Sequence, residues 1–181
     1  MNRRELSVNL ISNGTIDPNL HFGPFAQDWW FESTTQTSIG PRLIPIRVGM
    51  KTEVELNNRK FILHVVRGNL SNSCQPGYIC ESGSETGKVE TTATQAISTL
   101  YQRIFNTKTK YSGTLVMGLE NNDIANQLLV DVEFQPFSIK VDNYNVVIFS
   151  VGTSSQKDWS GAGPGYMSSF VHVYKKKMLY N

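Results

Sequence analysis

The sequence predicts an α+β domain, on three observations. Residues 91–130 carry apolar positions at the three- and four-residue steps of helices. The stretches on either side alternate apolar with polar, or run apolar over short lengths, as strands do. Strands, then helices, then strands is an order without the regular βαβ alternation of a parallel sheet. The expected architecture is one domain with a mostly antiparallel sheet and two helices, at about 92–106 and 122–130. A chain of 181 residues is long enough to bury the core this requires.

Residues 1–40 are rich in Asn, Thr, Ser and Gly, and predict an irregular region with one or two strands. Trp29-Trp30-Phe31 is its largest apolar cluster. Such aromatics supply buried area first, so core or subunit packing is the leading reading. Trp29 and Trp30 are also candidate partner contacts, because indoles are common at binding hot spots. From 41 to 151 the pattern is that of the α+β domain proper. Leu43, Ile44, Ile46 and Val48 form an apolar strand-like run. Val54 and Leu56 then alternate with Glu53 and Glu55, and Asn57-Asn58 makes a turn before Phe61 to Val66: a hairpin signature. Residues 67–90 read as a surface loop with a short extended piece at Tyr78-Ile79-Cys80.

Thr91 or Thr92 can cap the first helix, with Gln95 three residues after Thr92 as in a capping box. Ala93, Ala96, Ile97, Leu100, Tyr101, Ile104 and Phe105 give it one apolar face, and it should end near Asn106. In the turn after it, Leu115, Met117 and Leu119 alternate as a short strand would, facing Ile97, Leu100 and Ile104. Asn121 or Asn122 caps the second helix, which buries Ile124, Leu128 and Leu129. Strands are expected at Val132-Glu133-Phe134, at Phe137 to Val141, at Val146 to Val151 and at Ser169 to Tyr174. Residues 152–181 supply a glycine-rich loop and the last of these strands, which the same domain can include.

Composition excludes more than it assigns. A net charge of +2 is too small for a strong polyanion-attracting field, so direct nucleic-acid binding is not indicated. No apolar run approaches a membrane span, and no apolar segment follows Arg3-Arg4 as a signal peptide would need. An intracellular location is therefore expected. The sequons at Asn13-Gly14-Thr15 and Asn69-Leu70-Ser71 are discounted on the same ground. Cys74 and Cys80 read as a reduced pair, with a small-loop disulfide as the alternative.

No motif for chemistry stands out. His21, His64 and His172 are far apart, with neither His-x-x-x-His nor Cys-x-x-Cys spacing, so no metal is expected. There is no Gly-x-Ser-x-Gly elbow. Gly161-x-Gly163-x-Gly165 contains Pro164 and leads into strand sequence, whereas a phosphate cradle leads into a helix N-terminus. No catalytic residue and no cofactor is assigned.

The stretch from Thr92 to Leu129 resembles the C-terminal half of the FY-rich (FYR) domain of chromatin-associated proteins, including trithorax-type histone methyltransferases. In that half a Ser/Thr-led helix precedes Ser-Gly-x-x-x-Phe-Gly-Leu and a short helix. Here Ser112-Gly113-Thr114-Leu115-Val116-Met117-Gly118-Leu119 matches at the same spacing. Met117 stands at the usual Phe position, and Ile97 where the family tends to have Trp. Ile44-Pro45-Ile46-Arg47-Val48-Gly49-Met50 is similar to the family's Tyr-Pro-Val-Gly-Tyr-like segment only with an extra residue and without tyrosines. The resemblance implies a structural role for Ser112, Gly113, Met117, Gly118, Leu119, Ile97, Leu100 and Ile104. It also implies a nuclear protein that assembles with protein partners, self-association included, rather than an enzyme.

Two other readings stay open. One is a small hydrolase or transferase with a site spread over loops 67–90 and 152–165, joining His64 or His172 to an acid and a Ser or Cys. The other is a β-rich carbohydrate- or ligand-binding module that uses Trp29, Trp30 and Trp159.

Overall fold

Alternation along three consecutive strands builds the main sheet. In the computed structural model, which describes residues 6–23, 25–37, 40–141, 144–154 and 168–177, these strands are β4 (Lys51–Leu56), β5 (Arg59–Arg67) and β6 (Pro76–Ser82). They follow β1 (Val8–Ser12), β2 (Trp30–Thr37) and β3 (Gly40–Pro45) in the chain. Thr52, Val54 and Leu56 lie opposite Leu63, Phe61 and Arg59, and Leu63 and Val65 lie opposite Cys80 and Tyr78. With a side-chain period of two, this register gathers the buried residues on one face. Asn57 and Asn58 both take positive φ, 52° and 57°, as a two-residue I′ hairpin turn demands.

The short strand β7 (Glu85–Thr86) follows, and the complete sheet runs β1-β4-β5-β6-β7. A separate pair, β2 with β3, and a three-stranded sheet of β8 (Phe137–Val141), β9 (Tyr144–Ser154) and β10 (Ser168–Lys177) complete the β structure of the described residues. Every strand pairing is antiparallel. The fold is α+β, as the sequence predicts.

The longer helices are α2 (Ala93–Phe105) and α4 (Asn122–Leu129), numbered after the single turn α1 (Pro18–His21) and with α3 (Gly113–Val116) between them. Thr92 caps α2: its hydroxyl accepts from the Gln95 amide at 3.2 Å. Gln95 does not close the capping box by reaching back to a backbone amide. Its Oε1 instead accepts from the hydroxyls of Thr91 and Thr92. Asn106 ends α2 in the left-handed conformation, φ 49°, a position tolerated by Asn. Asn121 caps α4 by accepting from the amides of Asp123 and Ile124. No described helix is long and apolar enough to cross a membrane.

α2 packs over β5 and β6, and α3 packs over β4. Phe61 from β5 meets Tyr101 and Phe105 of α2, with ring centroids 5.7 and 6.4 Å apart, and Tyr111 closes on Tyr101 at 4.8 Å. The core is continuous from Leu20 and Trp29 through Ile97, Leu100 and Leu128 to Phe149 of β9. At about 25 cal/mol per Å² of apolar area removed from water, each fully buried Leu, Ile or Phe contributes about 1.5–3 kcal/mol.

Four expectations need correction. Residues 112–119 form a helical turn, not an alternating strand: Val116 donates to the Ser112 carbonyl at 3.1 Å and Met117 to the Gly113 carbonyl at 2.9 Å. Val116 therefore faces the core, while Leu115 is 36% exposed. Val132-Glu133-Phe134 is not a strand, because the chain turns after α4 and Asp131 is drawn back to Arg47. Residues 67–90 are not simply a loop, since they hold β6, an inner strand of the sheet, with Pro76 at its first position where no ladder donor is needed. The apolar run at 43–48 ends its strand at Pro45. Beyond it Ile46 bonds to the Trp29 carbonyl and Gly49 to the Val65 carbonyl.

Candidate functional site

Three features stand apart from the apolar core: an edge strand, the outer face of the sheet, and a set of buried polar anchors. The edge is β1. It ends the five-stranded sheet and, among the described residues, has no neighbour on its outer side. Val8 and Leu10 turn inward and pack on the core, whereas Asn9 and Ile11 are exposed, Ile11 at 51%. Edge strands ordinarily carry Lys, Pro or other guards against pairing with a foreign strand. Val8-Asn9-Leu10-Ile11-Ser12 contains no charge and no proline. Its one guard is a register shift between Leu10 and Ser12.

The outer face of the sheet continues from this edge. Asn9, Glu53, Ile62, Glu81 and Thr86 form one row across it, and Lys51, His64 and Ile79 form the next. Ile62, Val66 and Ile79 are half-buried there. Lys60 Nζ pairs with Glu53 at 3.0 Å. His64 Nε2 lies 3.1 Å from Glu81 Oε2, but the pair lacks hydrogen-bond geometry, so the contact is an ion-pair approach only.

The buried polar anchors hold the N-terminal segments to this sheet. Arg47 is 2% exposed: its Nε donates to the Leu128 carbonyl at 3.1 Å and its Nη1 to the Gly14 carbonyl at 3.5 Å. Both Nη groups also engage Asp131. The Arg47 guanidinium holds the Asp131 carboxyl below its usual range. His21 is fully buried, with the Asp17 amide donating to Nδ1 at 3.1 Å and Nε2 placed 3.1 Å from the Ile46 carbonyl. The neutral Nε2–H tautomer serves the Asp17 amide and the Ile46 carbonyl, whereas the Asp17 carbonyl, 3.0 Å from Nδ1, can accept only from a protonated Nδ1. Burial depresses its pKa, only partly opposed by the backbone contacts with Asp17 and Ile46 and by the Asp17 charge. Glu120 accepts from the Ser33 hydroxyl at 2.8 Å and from the Thr34 amide and hydroxyl, pinning β2 to the turn between α3 and α4.

The residues singled out by sequence fall mostly into the interior. Ile97, Leu100, Met117 and Leu119 are buried and Ile104 packs beside them. Gly113 is wedged against the start of α2, where a Cβ would meet the Thr94 amide nitrogen and stand 2.6 Å from Ala93 Cβ. The Gly113 amide donates to Thr94 Oγ1 at 2.9 Å. Gly118 takes φ 67° beneath Ile124. Ser112 is exposed, its hydroxyl 2.9 Å from that of Thr114.

Trp29 and Trp30 do not present a contact surface. They are 0% and 6% exposed, and their indole nitrogens donate to the carbonyls of Cys74 and His21. An aromatic carbohydrate platform built on these two residues is thereby removed, and Trp159 lies outside the described residues. Cys74 and Cys80 are unbonded thiols, and burial pushes the Cys80 thiol up to about 12. Among the described residues no three His, Cys, Asp or Glu side chains gather to hold a metal ion. The His172 side chain and the 161–165 glycine cluster also fall outside the described residues. Sequence reasoning missed Arg47 and His21. The signal for Arg47 was a charge set inside the apolar run Ile44-Pro45-Ile46-Arg47-Val48.

These features define an α+β domain with an edge strand that, among the described residues, is guarded by a register shift alone. Comparison of the chain with protein-family models, with curated proteins and with solved structures finds no match in any of the three.

Proposed function

We propose that this chain is a protein–protein interaction module that engages its partner through β1. The observation that carries the reading is the composition of that edge: an uncharged, proline-free strand with Ile11 half exposed. Its outer side faces no other strand among the described residues, so its amides and carbonyls there can take up a further strand, and side chains on alternate positions supply selectivity. The half-buried aliphatics of the outer face lie on the side of the sheet that Asn9 of β1 shares.

The Ser112-Gly113 and Gly118-Leu119 spacing supports an FYR-like module, and with it a nuclear, chromatin-associated partner. The partner is a protein strand, contributed by another chain or by a second copy. Light scattering over a concentration range, with the wild-type chain and Ile11→Lys, tests the self-pairing case; partner capture with the same two proteins tests the other. The expected result is association that Ile11→Lys abolishes while the fold persists. A strictly monomeric protein that captures no partner, or association indifferent to Ile11→Lys, overturns the proposal.

A further inference from the structure

We propose that Asn13 is a site of spontaneous covalent modification, at which the side-chain amide is lost through a cyclic imide formed with the backbone nitrogen of Gly14. Asn13-Gly14 is the one Asn-Gly pair in the chain. The chemistry is fastest where the following residue has no side chain to hinder the approach of the main-chain nitrogen to the Asn side-chain carbonyl carbon. The Asn13 Cγ–N(Gly14) bond forms and the Cγ–NH₂ bond breaks. The Gly14 amide nitrogen gives its proton to solvent, the departing NH₂ takes one up from solvent, and ammonia leaves. Water then opens the imide at either carbonyl, giving aspartate or isoaspartate; no electron is gained or lost.

The local structure favours this site over other asparagines. Asn13 is exposed, and none of its side-chain atoms is held among the described residues. Among the described residues the Gly14 amide has only the Ser12 hydroxyl as acceptor, at 3.3 Å. Several other asparagine side chains are engaged. Asn69 donates to the Pro76 carbonyl and accepts from the amides of Ser71 and Asn72, and Asn121 caps α4. Asn57 and Asn58 are exposed in the hairpin turn, but they precede Asn58 and Arg59, whose side chains slow the ring closure that glycine leaves unhindered.

The position gives the reaction a structural consequence. Gly14 sits at φ 69° with no space for a Cβ: one built there would press on the Met50 nitrogen and stand 2.6 Å from the Val48 carbonyl oxygen. Its own carbonyl is an acceptor of Arg47, and Thr15 exchanges backbone hydrogen bonds with Val48 at 2.8 and 3.1 Å. Isoaspartate adds a methylene to the main chain immediately before this wedge. Gly14 then cannot keep its seat while β1 keeps its register on β4, so the modified chain releases the edge strand.

The full chain is aged at mildly alkaline pH, and its peptides are mapped by mass spectrometry with aspartate and isoaspartate resolved. Amide hydrogen exchange over β1 is measured on the aged protein and on Asn13→Asp, which carries the new charge without the longer backbone. The expected result is conversion at Asn13 with isoaspartate present, intact amides at Asn69 and Asn121, and loss of β1 protection in the aged protein but not in Asn13→Asp. An Asn13 amide that survives in the folded protein while converting in urea overturns the site. Conversion without loss of β1 protection, or equal loss in Asn13→Asp, overturns the backbone mechanism.

Discussion

Arg47 and Asp131 form an ion pair that crosses the protein surface: the guanidinium side chain is 2% exposed and the carboxylate side chain 67%. The two ends of this pair are energetically unequal. Arg47 also serves the carbonyls of Leu128 and Gly14, so its removal strands acceptors that join α4 and the segment after β1. Arg47→Ala should cost about 2–4 kcal/mol through lost packing and unpaired acceptors. Asp131→Ala should cost under about 1 kcal/mol, because water replaces an exposed carboxylate. Urea unfolding of the two variants tests the ranking; equal losses would contradict it.

Acid should destabilise the fold in two stages. The folded-state pKa of His21 lies below its unfolded value, so the unfolded chain binds the proton first. Its stabilising contribution is complete above about pH 6.5 and declines as the pH falls toward the folded-state value. Asp131 is depressed as well, and its contribution is lost lower, below its unfolded value near 3.8. Stability measured against pH should show the upper stage vanish in a folded His21→Gln variant. Persistence of that stage would move its origin to another group.

The two motif glycines should differ in how they fail. Gly113→Ala drives a Cβ into backbone and into Ala93 Cβ at the start of α2, where neither can swing aside. Gly118→Ala meets the far end of Ile124, which can rotate, but it pays left-handed strain at φ 67°. Losses of about 3 kcal/mol or more for the first and about 1–2 kcal/mol for the second are expected. Thermal unfolding would reverse this account if Gly118→Ala proved the worse.

The two cysteines should react on separate timescales. Cys80 is fully buried in β6 with its thiol raised to about 12, whereas Cys74 is half-buried in the loop before it. A thiol reagent should label Cys74 in the native protein and Cys80 only on unfolding. Fast labelling of both would show that β6 opens readily.

Local signals made the helices and the β4–β5 hairpin readable. Thr92, Asn106 and Asn121 carry their instructions in side chains that satisfy nearby backbone or tolerate its left-handed turn. Tertiary partners hid the rest. Alternation at Leu115 and Met117 suggests a strand, but Gly113 fitting against Ala93 and Thr94 makes a helical turn there. Glycine and proline in 67–90 suggest a loop with only a short extended piece at Tyr78-Ile79-Cys80, yet pairing with β5 makes Pro76–Ser82 a full strand. The exposed edge was equally hidden, because Val8 to Ser12 becomes an edge only when its pairing with β4 is known.

Amide hydrogen exchange of β1, with and without association, tests the interaction reading most directly. The account predicts slowed exchange across Val8–Ser12 in the associated protein and no slowing in Ile11→Lys. Unchanged β1 exchange, with protection gained on another surface instead, would contradict it.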